Sequence, residues 1–302
     1  MKWKKKGLIF QSKGQYPWMQ THASLPVVEY LKEDIFRIYF SPRDLKNHSH
    51  IAYIEIDIFN PKDIICISEK PVLTPGKLGA FDDSGVMASS IINHQGKKFM
   101  YFLGWNQAVT VLYRNAIGLA VSNDNGETYH RLYEGPIVDR NRAEPYFTAS
   151  CEVMIEKNVW RMWYLSCTGW VQRETGPSPY YHIKYAESKD GVNWKRDGTV
   201  CIDYKNEDEW ATATPRVRKE GDLYKMWYSY RGVKPYRIGY AESKDGVNWQ
   251  RKDDQVGIDV SVEGWDSEMI EYPFVFEHKG TKYMFYNGNE YGKSGLGYAI
   301  LE

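Results

Sequence analysis

No apolar run in the 302 residues approaches the roughly 20 residues that a membrane-crossing helix needs, so the chain offers no candidate span. The opening stretch, Met1 to Phe10, turns polar before its apolar part reaches the length of a secretory core, and the cytoplasm is the expected compartment. Cysteine is scarce: Cys66, Cys151, Cys167 and Cys201 show no metal-type spacing and are expected as buried thiols rather than disulfides. No ligand cluster demands a metal, and no cofactor motif is present. Charge of one sign is missing too, because 39 basic residues cancel 39 acidic ones and no basic block exceeds Lys4-Lys5-Lys6. Nucleic acid and anionic membrane, which need a sustained positive surface, are therefore not expected partners. Helical periodicity is equally hard to find.

What the chain has in abundance is repetition. Tyr185 to Trp194 (Tyr-Ala-Glu-Ser-Lys-Asp-Gly-Val-Asn-Trp) recurs unchanged at Tyr240 to Trp249. Around both copies lie short runs rich in Tyr, Ile, Val, Phe and Trp, broken by Gly, Asn, Asp and Lys at hairpin spacing, which is an all-β signal. Working outward gives five copies of one unit, starting near Ser24, Asp83, Glu144, Asp208 and Asp266. The fifth stops at Gly297-Tyr298-Ala299-Ile300 without its edge strand. The missing piece matches the start of the chain, where Trp3-Lys4-Lys5-Lys6-Gly7 follows the pattern of Trp194-Lys195-Arg196-Asp197-Gly198. The expectation is a five-bladed β-propeller, one domain over residues 1–302, whose ring is closed by the N-terminal strand. A β-sandwich explains neither the repeat nor the complementary ends.

These units, together with Trp265-Asp266-Ser267, Tyr272-Pro273-Phe274-Val275 and Lys282-Tyr283-Met284-Phe285-Tyr286, resemble the five-bladed glycoside hydrolase superfamily: the arabinanases and xylosidases, the invertase-like enzymes and the mannoside phosphorylases. The resemblance spans nearly the whole chain and is specific for the fold, because its motifs are turn and packing elements. Ser122 to Tyr129 also fits the Asp-box turn of sialidases, a structural feature of those enzymes.

Five internal copies separate scaffold from chemistry. A polar residue repeated in several units is expected to be structural, whereas one confined to a single inner strand is a candidate for function. The inner strands align on Pro26, Ser90, Cys151, Pro215 and Pro273. Seven positions earlier stand Asp83, Glu144, Asp208 and Asp266, which recur and read first as turn or cap residues. Asp190 and Asp245 of the decapeptides read as turn residues, each with a glycine supplying the left-handed conformation.

The singular residues are Glu271, Glu152, Arg216, Glu268 and His22. Glu271-Tyr272-Pro273 resembles the Glu-Cys-Pro acid/base segment of the invertase-like enzymes. Glu152 and Arg216 share one register in adjacent units and read equally as a buried ion pair or as part of a site. Relatives place a catalytic Asp beside the first-blade proline; here the residues are Leu25-Pro26, so Asp82, Asp83, Glu152 or Glu268 would have to supply the second carboxylate. Trp105 and Trp170, each after a glycine, are candidate sugar-stacking platforms, and Val171 to Tyr181 reads as a long loop walling the site.

The leading expectation is a carbohydrate-active enzyme, a glycosidase, with Glu271 as general acid and Glu152 or Asp83 as the second carboxylate. Arg216, His22, Tyr272, Glu268, Trp105 and Trp170 would bind a sugar or oligosaccharide. A propeller that binds a glycan without cleaving it, and one turned to non-hydrolytic chemistry on a sugar derivative, both stay open. The sequence names neither the sugar nor the oligomeric state.

Overall fold

A computed structural model describes residues 1–302. Apart from a 3-10 turn at Asp253–Gln255 and one helical turn at Asn289–Gly292 (α1), its regular elements are strands. The chain opens with β1 (Trp3–Phe10) and then runs through antiparallel meanders. The first is β2 (Thr21–Lys32), β3 (Ile35–Arg43), β4 (Ala52–Asp57) and β5 (Ile64–Ile67); the second is β6 (Gly85–His94), β7 (Lys97–Gln107), β8 (Tyr113–Ser122) and β9 (His130–Arg131). The third is β10 (Thr148–Glu156), β11 (Val159–Arg173) and β12 (Gly176–Ser188), with the short β13 (Trp194–Lys195) and β14 (Val200–Ile202) both on β12. The fourth is β15 (Glu209–Glu220), β16 (Leu223–Gly232), β17 (Arg237–Ser243) and β18 (Gln250–Arg251), whose one strand pairing with the third is the parallel bridge Tyr181–Ala211. The last is β19 (Glu271–His278), β20 (Thr281–Asn287) and β21 (Leu296–Leu301), and β1 hydrogen-bonds to β21 with Trp3 opposite Leu301.

The first strands of the meanders lie against one another: β2 on β6, β6 on β10, β10 on β15, β15 on β19, and β19 on β2. Their alternating aromatic and branched residues face neighbouring meanders, and the core is a set of clusters between sheets. One such cluster joins Trp227, Ile238 and Tyr240 to Val275, Met284 and Tyr286. The stretch expected as a wall loop is instead a hairpin. β11 and β12 stay paired, past a bulge between Cys167 and Gly169, out to Arg173–Gly176, because residues such as Val171 and Tyr180 support strand continuation over a two-residue turn.

Every inner strand carries a bulge near the aligned position, between Ser24 and Val27, Ala88 and Ser90, Thr148 and Cys151, Ala213 and Arg216, and Glu271 and Phe274. A bulge takes backbone N–H groups out of the ladder, and once buried they must find another acceptor. Here a side chain of the preceding meander supplies it. Cys151 donates to Ser89 Oγ (2.7 Å), Thr214 to Ser150 Oγ (3.2 Å) and Tyr272 to Ser229 Oγ (2.8 Å), while Leu25 donates to Asn287 Oδ1 of the last meander (2.8 Å). Leu25, Thr214 and Tyr272 each precede a proline and hold positive φ (54°, 51° and 54°), a conformation that costs about 1–3 kcal/mol and persists only where its surroundings enforce it.

The Asp turns behave as the repeat implied. Asp190 Oδ1 accepts the N–H groups of Val192 (2.9 Å) and Asn193 (2.8 Å), Asp245 does the same for Val247 and Asn248, and these bonds pull both carboxyls far below the usual range.

A second recurring device joins the two ends of four of the five meanders. An acid at or just ahead of the start of the inner strand meets a base on or beside the outermost strand: Asp82 with Arg131 (2.5 Å), Glu144 with Arg196 (2.7 Å) and Glu209 with Arg251 (2.8 Å). In the last meander Asp266 meets Lys5 of β1 (2.7 Å). Each base is the second residue after an aromatic one, in Tyr129-His130-Arg131, Trp194-Lys195-Arg196, Trp249-Gln250-Arg251 and Trp3-Lys4-Lys5. In the second and fourth meanders the acid is therefore Asp82 or Glu209, not Asp83 or Asp208.

Lys5→Met strands the buried Asp266 carboxylate and is expected to lower unfolding stability by about 3 kcal/mol. Lys4→Met touches only an exposed pair with Glu302 and is expected to change it by less than about 0.5 kcal/mol, both read by urea titration.

Candidate active site

Glu271 opens β19 and sits opposite Asn287 of β20. Its side chain is fully buried, and neither carboxylate oxygen has a hydrogen-bond partner within the protein. Burial, only partly offset by the Arg231 guanidinium and by Tyr272, pushes this carboxyl well above its ordinary range and favours its protonated form. Leaving such a group unpaired costs free energy that ordinary packing does not return. An acid held protonated in this way can donate a proton to a leaving oxygen.

Its surroundings are aromatic hydroxyls and guanidinium groups. Arg231, at the end of β16, donates to Tyr291 Oη (3.2 Å) and lies over the ring of Tyr236 at 5.0 Å; its Nε has no partner. Tyr236 packs on both Tyr272 and Tyr291, with centroids 6.2 Å apart in each case, and its hydroxyl hydrogen-bonds that of Tyr181. Burial alone would lower the Arg231 pKa, but Tyr181, Tyr236, Tyr291 and Tyr113 together raise it, so the cation is firmly held. Tyr272 is itself pushed well above the usual phenol range by burial, with Glu271 adding to the effect.

On the other side of Tyr272, Arg43 at the end of β3 donates through Nη1 to Asn47 Oδ1 (2.8 Å) and leaves its buried Nε unpaired. His22 receives no carboxylate of its own: its Nδ1 meets Thr21 Oγ1 at 2.8 Å. Burial, with Arg43 and Lys293 nearby, lowers its pKa to about 4, so the imidazole is neutral at pH 7. The assembly thus combines one acid biased towards its protonated form, two partly buried guanidiniums each with an unpaired buried Nε–H, a neutral imidazole and a tyrosine wall.

The sequence-derived candidates divide between this assembly and other places. Glu271 and Tyr272 are at its centre and His22 at its edge. Glu268 is exposed on the segment leading into β19; its N–H donates to Asn289 Oδ1 (2.8 Å) and its carbonyl accepts from Arg237 (2.9 Å), leaving the carboxylate free. Trp170 reaches the same aromatic neighbourhood, edge-on to Tyr113 at 5.5 Å and near Phe147, which adjoins Tyr181.

The others are committed elsewhere. Glu152 and Arg216 form a buried ion pair between β10 and β15 (2.9 Å), with Arg218 also at 3.7 Å and Phe274 beneath Arg216 at 5.1 Å. They stand three positions further along their strands than Glu271, roughly 10 Å away in that direction, because a strand rises about 3.3 Å per residue. The expected use of Arg216 on substrate and Glu152 as second carboxylate gives way to this pair. Asp83 caps its own loop, accepting Gly79 N–H (2.9 Å) and Ser84 Oγ (3.0 Å). Trp105 donates its indole N–H to Ser49 Oγ (2.8 Å) and packs in the apolar cluster around Phe147.

Arg43, Arg231 and Asn287 were missed, although the repeat contains them. With the second strands aligned on Tyr39, Tyr101, Trp163, Trp227 and Phe285, the fourth position on reads Arg43, Trp105, Cys167, Arg231 and Asn289. The second position on reads Ser41, Leu103, Leu165, Ser229 and Asn287. Comparing second strands as well as inner ones would have singled out both arginines. Asn287 acts through others: besides accepting from Leu25 it donates to Ala23 O (2.7 Å) and Gly295 O (3.0 Å), tying the first and last meanders together beside Glu271.

Comparison with known proteins places this geometry in context. A family model described as beta-1,4-mannooligosaccharide phosphorylase, of glycoside hydrolase family 130, matches residues 174–288. The Mycobacterium tuberculosis protein Rv1502 is 42% identical over 302 residues, covering 100% of both chains. Among solved structures, a glycoside hydrolase superposes with a TM-score of 0.76 at 19% identity, covering 98% of this chain and 90% of its own. A putative glycoside hydrolase from Bacteroides ovatus gives 0.73 at 13% identity, covering 99% and 96%. A thermostable family-43 glycoside hydrolase gives 0.66 at 16%, covering 93% and 88%. These structural likenesses are likenesses of fold.

Because the folded protein keeps Glu271 protonated and the unfolded chain does not, stability is fully present below the unfolded carboxyl pKa and is lost as pH rises above it. Glu271→Gln removes that dependence. Between pH 5 and 8 the stability advantage of the variant is expected to grow by up to about 1.4 kcal/mol per pH unit, until the folded-state pKa is reached. Parallel denaturant titrations at several pH values check this, and curves of equal pH slope would contradict it.

Proposed function

We infer that this chain, which belongs to the propeller-fold glycoside hydrolase superfamily and to the same family as the mycobacterial protein, cleaves a glycosidic bond with Glu271 as the proton donor to the departing sugar. The observation that carries the reading is the full burial of Glu271 without a hydrogen-bond partner, beside two guanidiniums and a cluster of tyrosines. A structural carboxylate would be expected to have its lone pairs satisfied; an acid awaiting a substrate oxygen would not. The five meanders are read as the five blades of a single domain over residues 1–302. Its ring is closed by β1, which the Lys5–Asp266 pair and the β1–β21 ladder support. The site then lies where the inner strands begin, at one mouth of the central channel.

The attacking group is the finer question. Hydrolysis would take its second carboxylate from Glu268, which is exposed and unpaired. A different observation favours attack by inorganic phosphate: Arg43 and Arg231 flank Tyr272 with free Nε–H groups, and His22 is neutral beside Arg43. Guanidinium N–H groups match phosphate oxygens, and phosphate needs no base to become a nucleophile. The matched family description agrees with phosphorolysis of a β-1,4-mannooligosaccharide, and a cytoplasmic setting would supply the phosphate.

Wild type and Glu271→Gln, incubated with β-1,4-mannobiose, mannotriose and aryl glycosides, with and without phosphate, test the reading. The variant is expected to turn over about 10²–10⁴-fold more slowly. Sugar 1-phosphate as product marks phosphorolysis and free reducing sugar in phosphate-free buffer marks hydrolysis. Equal turnover by both proteins would remove Glu271 from the mechanism, and binding without turnover by wild type would make the protein a glycan-binding propeller.

A further inference from the structure

The same internal comparison that isolates the site exposes a second place where the repeat fails. With the second strands aligned as above, the residue two before the aligned aromatic reads Arg37, Phe99, Arg161, Lys225 and Tyr283. In the first and third meanders this arginine fills the groove beneath the next meander's Asp turn. Arg37 Nη1 donates to Asn125 O (2.9 Å), Arg161 Nη2 to Asp245 O, and the aligned Tyr39 and Trp163 donate to the following glycine carbonyls. Each arginine has an acid, Glu55 for Arg37 (2.5 Å) and Glu156 for Arg161 (3.0 Å), and an aromatic ring beneath it, Tyr53 at 4.2 Å or Tyr185 at 5.2 Å.

Between the second and third meanders only the aromatic hydrogen bond survives, from Tyr101 Oη to Gly191 O (2.8 Å). Phe99 stands where the arginine would be, Val121 and His94 where the acids would be, and Leu119 in place of the underlying ring. No protein group donates to the Asp190 carbonyl, whose counterparts accept from arginine. What remains is a cavity of about 330 Å³ walled by Phe99, His94 and Trp160, with His94 edge-on to Trp160 at 5.0 Å, and rimmed by the exposed Gln95, Lys189 and Asp190. Ligand pockets start at about this size. Across the His94–Gln95 turn a second hollow of about 370 Å³ continues it, lined by polar side chains including Asn93, Asn123 and Asn125.

We propose that this groove is a second, non-catalytic saccharide-binding site. The loss of the acids and of the cation-stacking ring argues against a guanidinium or other cationic guest. A guest with both apolar faces and hydroxyl donors fits what replaced them: rings to stack on, the free Asp190 carbonyl to accept a hydroxyl, and an amide-rich trough for neighbouring units. His94 stands in the register of Glu156, seven aligned positions from Glu271, so the groove is about 23 Å along the strands from the reacting mouth and binds a different part of a chain or a different chain. The identity of the sugar rests on the reading of the reacting site given above; the existence of the groove does not.

β-1,4-Mannohexaose is the probe. In wild-type protein the indole N–H resonance of Trp160 and the ring resonances of His94 are expected to shift on titration. Calorimetry in phosphate-free buffer with Glu271→Gln, which slows turnover, is expected to show two sites per chain. Phe99→Arg with Val121→Glu restores the filled groove of the sister meanders; in the Glu271→Gln background it is expected to leave one site, and alone to leave turnover of mannobiose unchanged. Unshifted Trp160 and His94 signals, or an unaltered stoichiometry in the refilled variant, would overturn the proposal. So would binding of arginine amide in place of the saccharide. One site lost on refilling the groove, with no binding at the mouth, would uphold the groove and count instead against the assignment of Glu271.

Discussion

A bulged inner strand leaves buried N–H groups outside its own sheet, and the fold depends on how those donors are satisfied. In four of the five meanders such a donor is accepted by a side chain of the preceding meander: Ser89 for Cys151, Ser150 for Thr214, Ser229 for Tyr272 and Asn287 for Leu25. No meander is therefore complete alone, and the positive φ angles at Leu25, Thr214 and Tyr272 are enforced by neighbours rather than by local preference. The acid–base pairs at the outer strands serve the same end from the opposite side, pinning each inner strand where it begins.

The groups proposed to react sit on this rigid frame. Tyr272 sits at an enforced bulge, Glu271 precedes it, and Asn287, which faces Glu271, also carries the bond that joins the last meander to the first. A carboxyl buried without a partner is destabilising, and it survives only on a backbone that cannot relax to hydrate it. Unpaired buried polar atoms occur in several parts of the molecule, and those of Glu271, Arg43 and Arg231 all lie near Tyr272. Preorganisation for a polar guest is consistent with an unpaired acid and two guanidiniums around one tyrosine.

Much of the architecture was legible because turn and latch chemistry repeats. The decapeptide gave the register, and Trp3-Lys4-Lys5 announced the strand that joins the last meander, with Lys5 doing the work of Arg196 and Arg251. Glu271 and the Glu152–Arg216 pair were legible because they break the repeat on inner strands. The roles of the latter were not, since a singular ion pair looks alike in sequence whether it is buried scaffold or open site; only its burial and its distance along the strands from Glu271 decide. Arg43 and Arg231 escaped because the comparison stopped at inner strands. The β11–β12 extension escaped because Gly176-Pro177-Ser178-Pro179 reads as loop, while pairing with β11 overrides that local signal.

The central claim is that Glu271 is a neutral, desolvated acid in a pocket built for a sugar oxygen. Infrared difference spectroscopy between wild type and Glu271→Gln at pH 7 tests it most directly. The account predicts a protonated carboxyl C=O stretch that belongs to Glu271, persists at neutral pH and shifts when an oligosaccharide binds. A carboxylate band for Glu271 at pH 7, unmoved by the sugar, would contradict it.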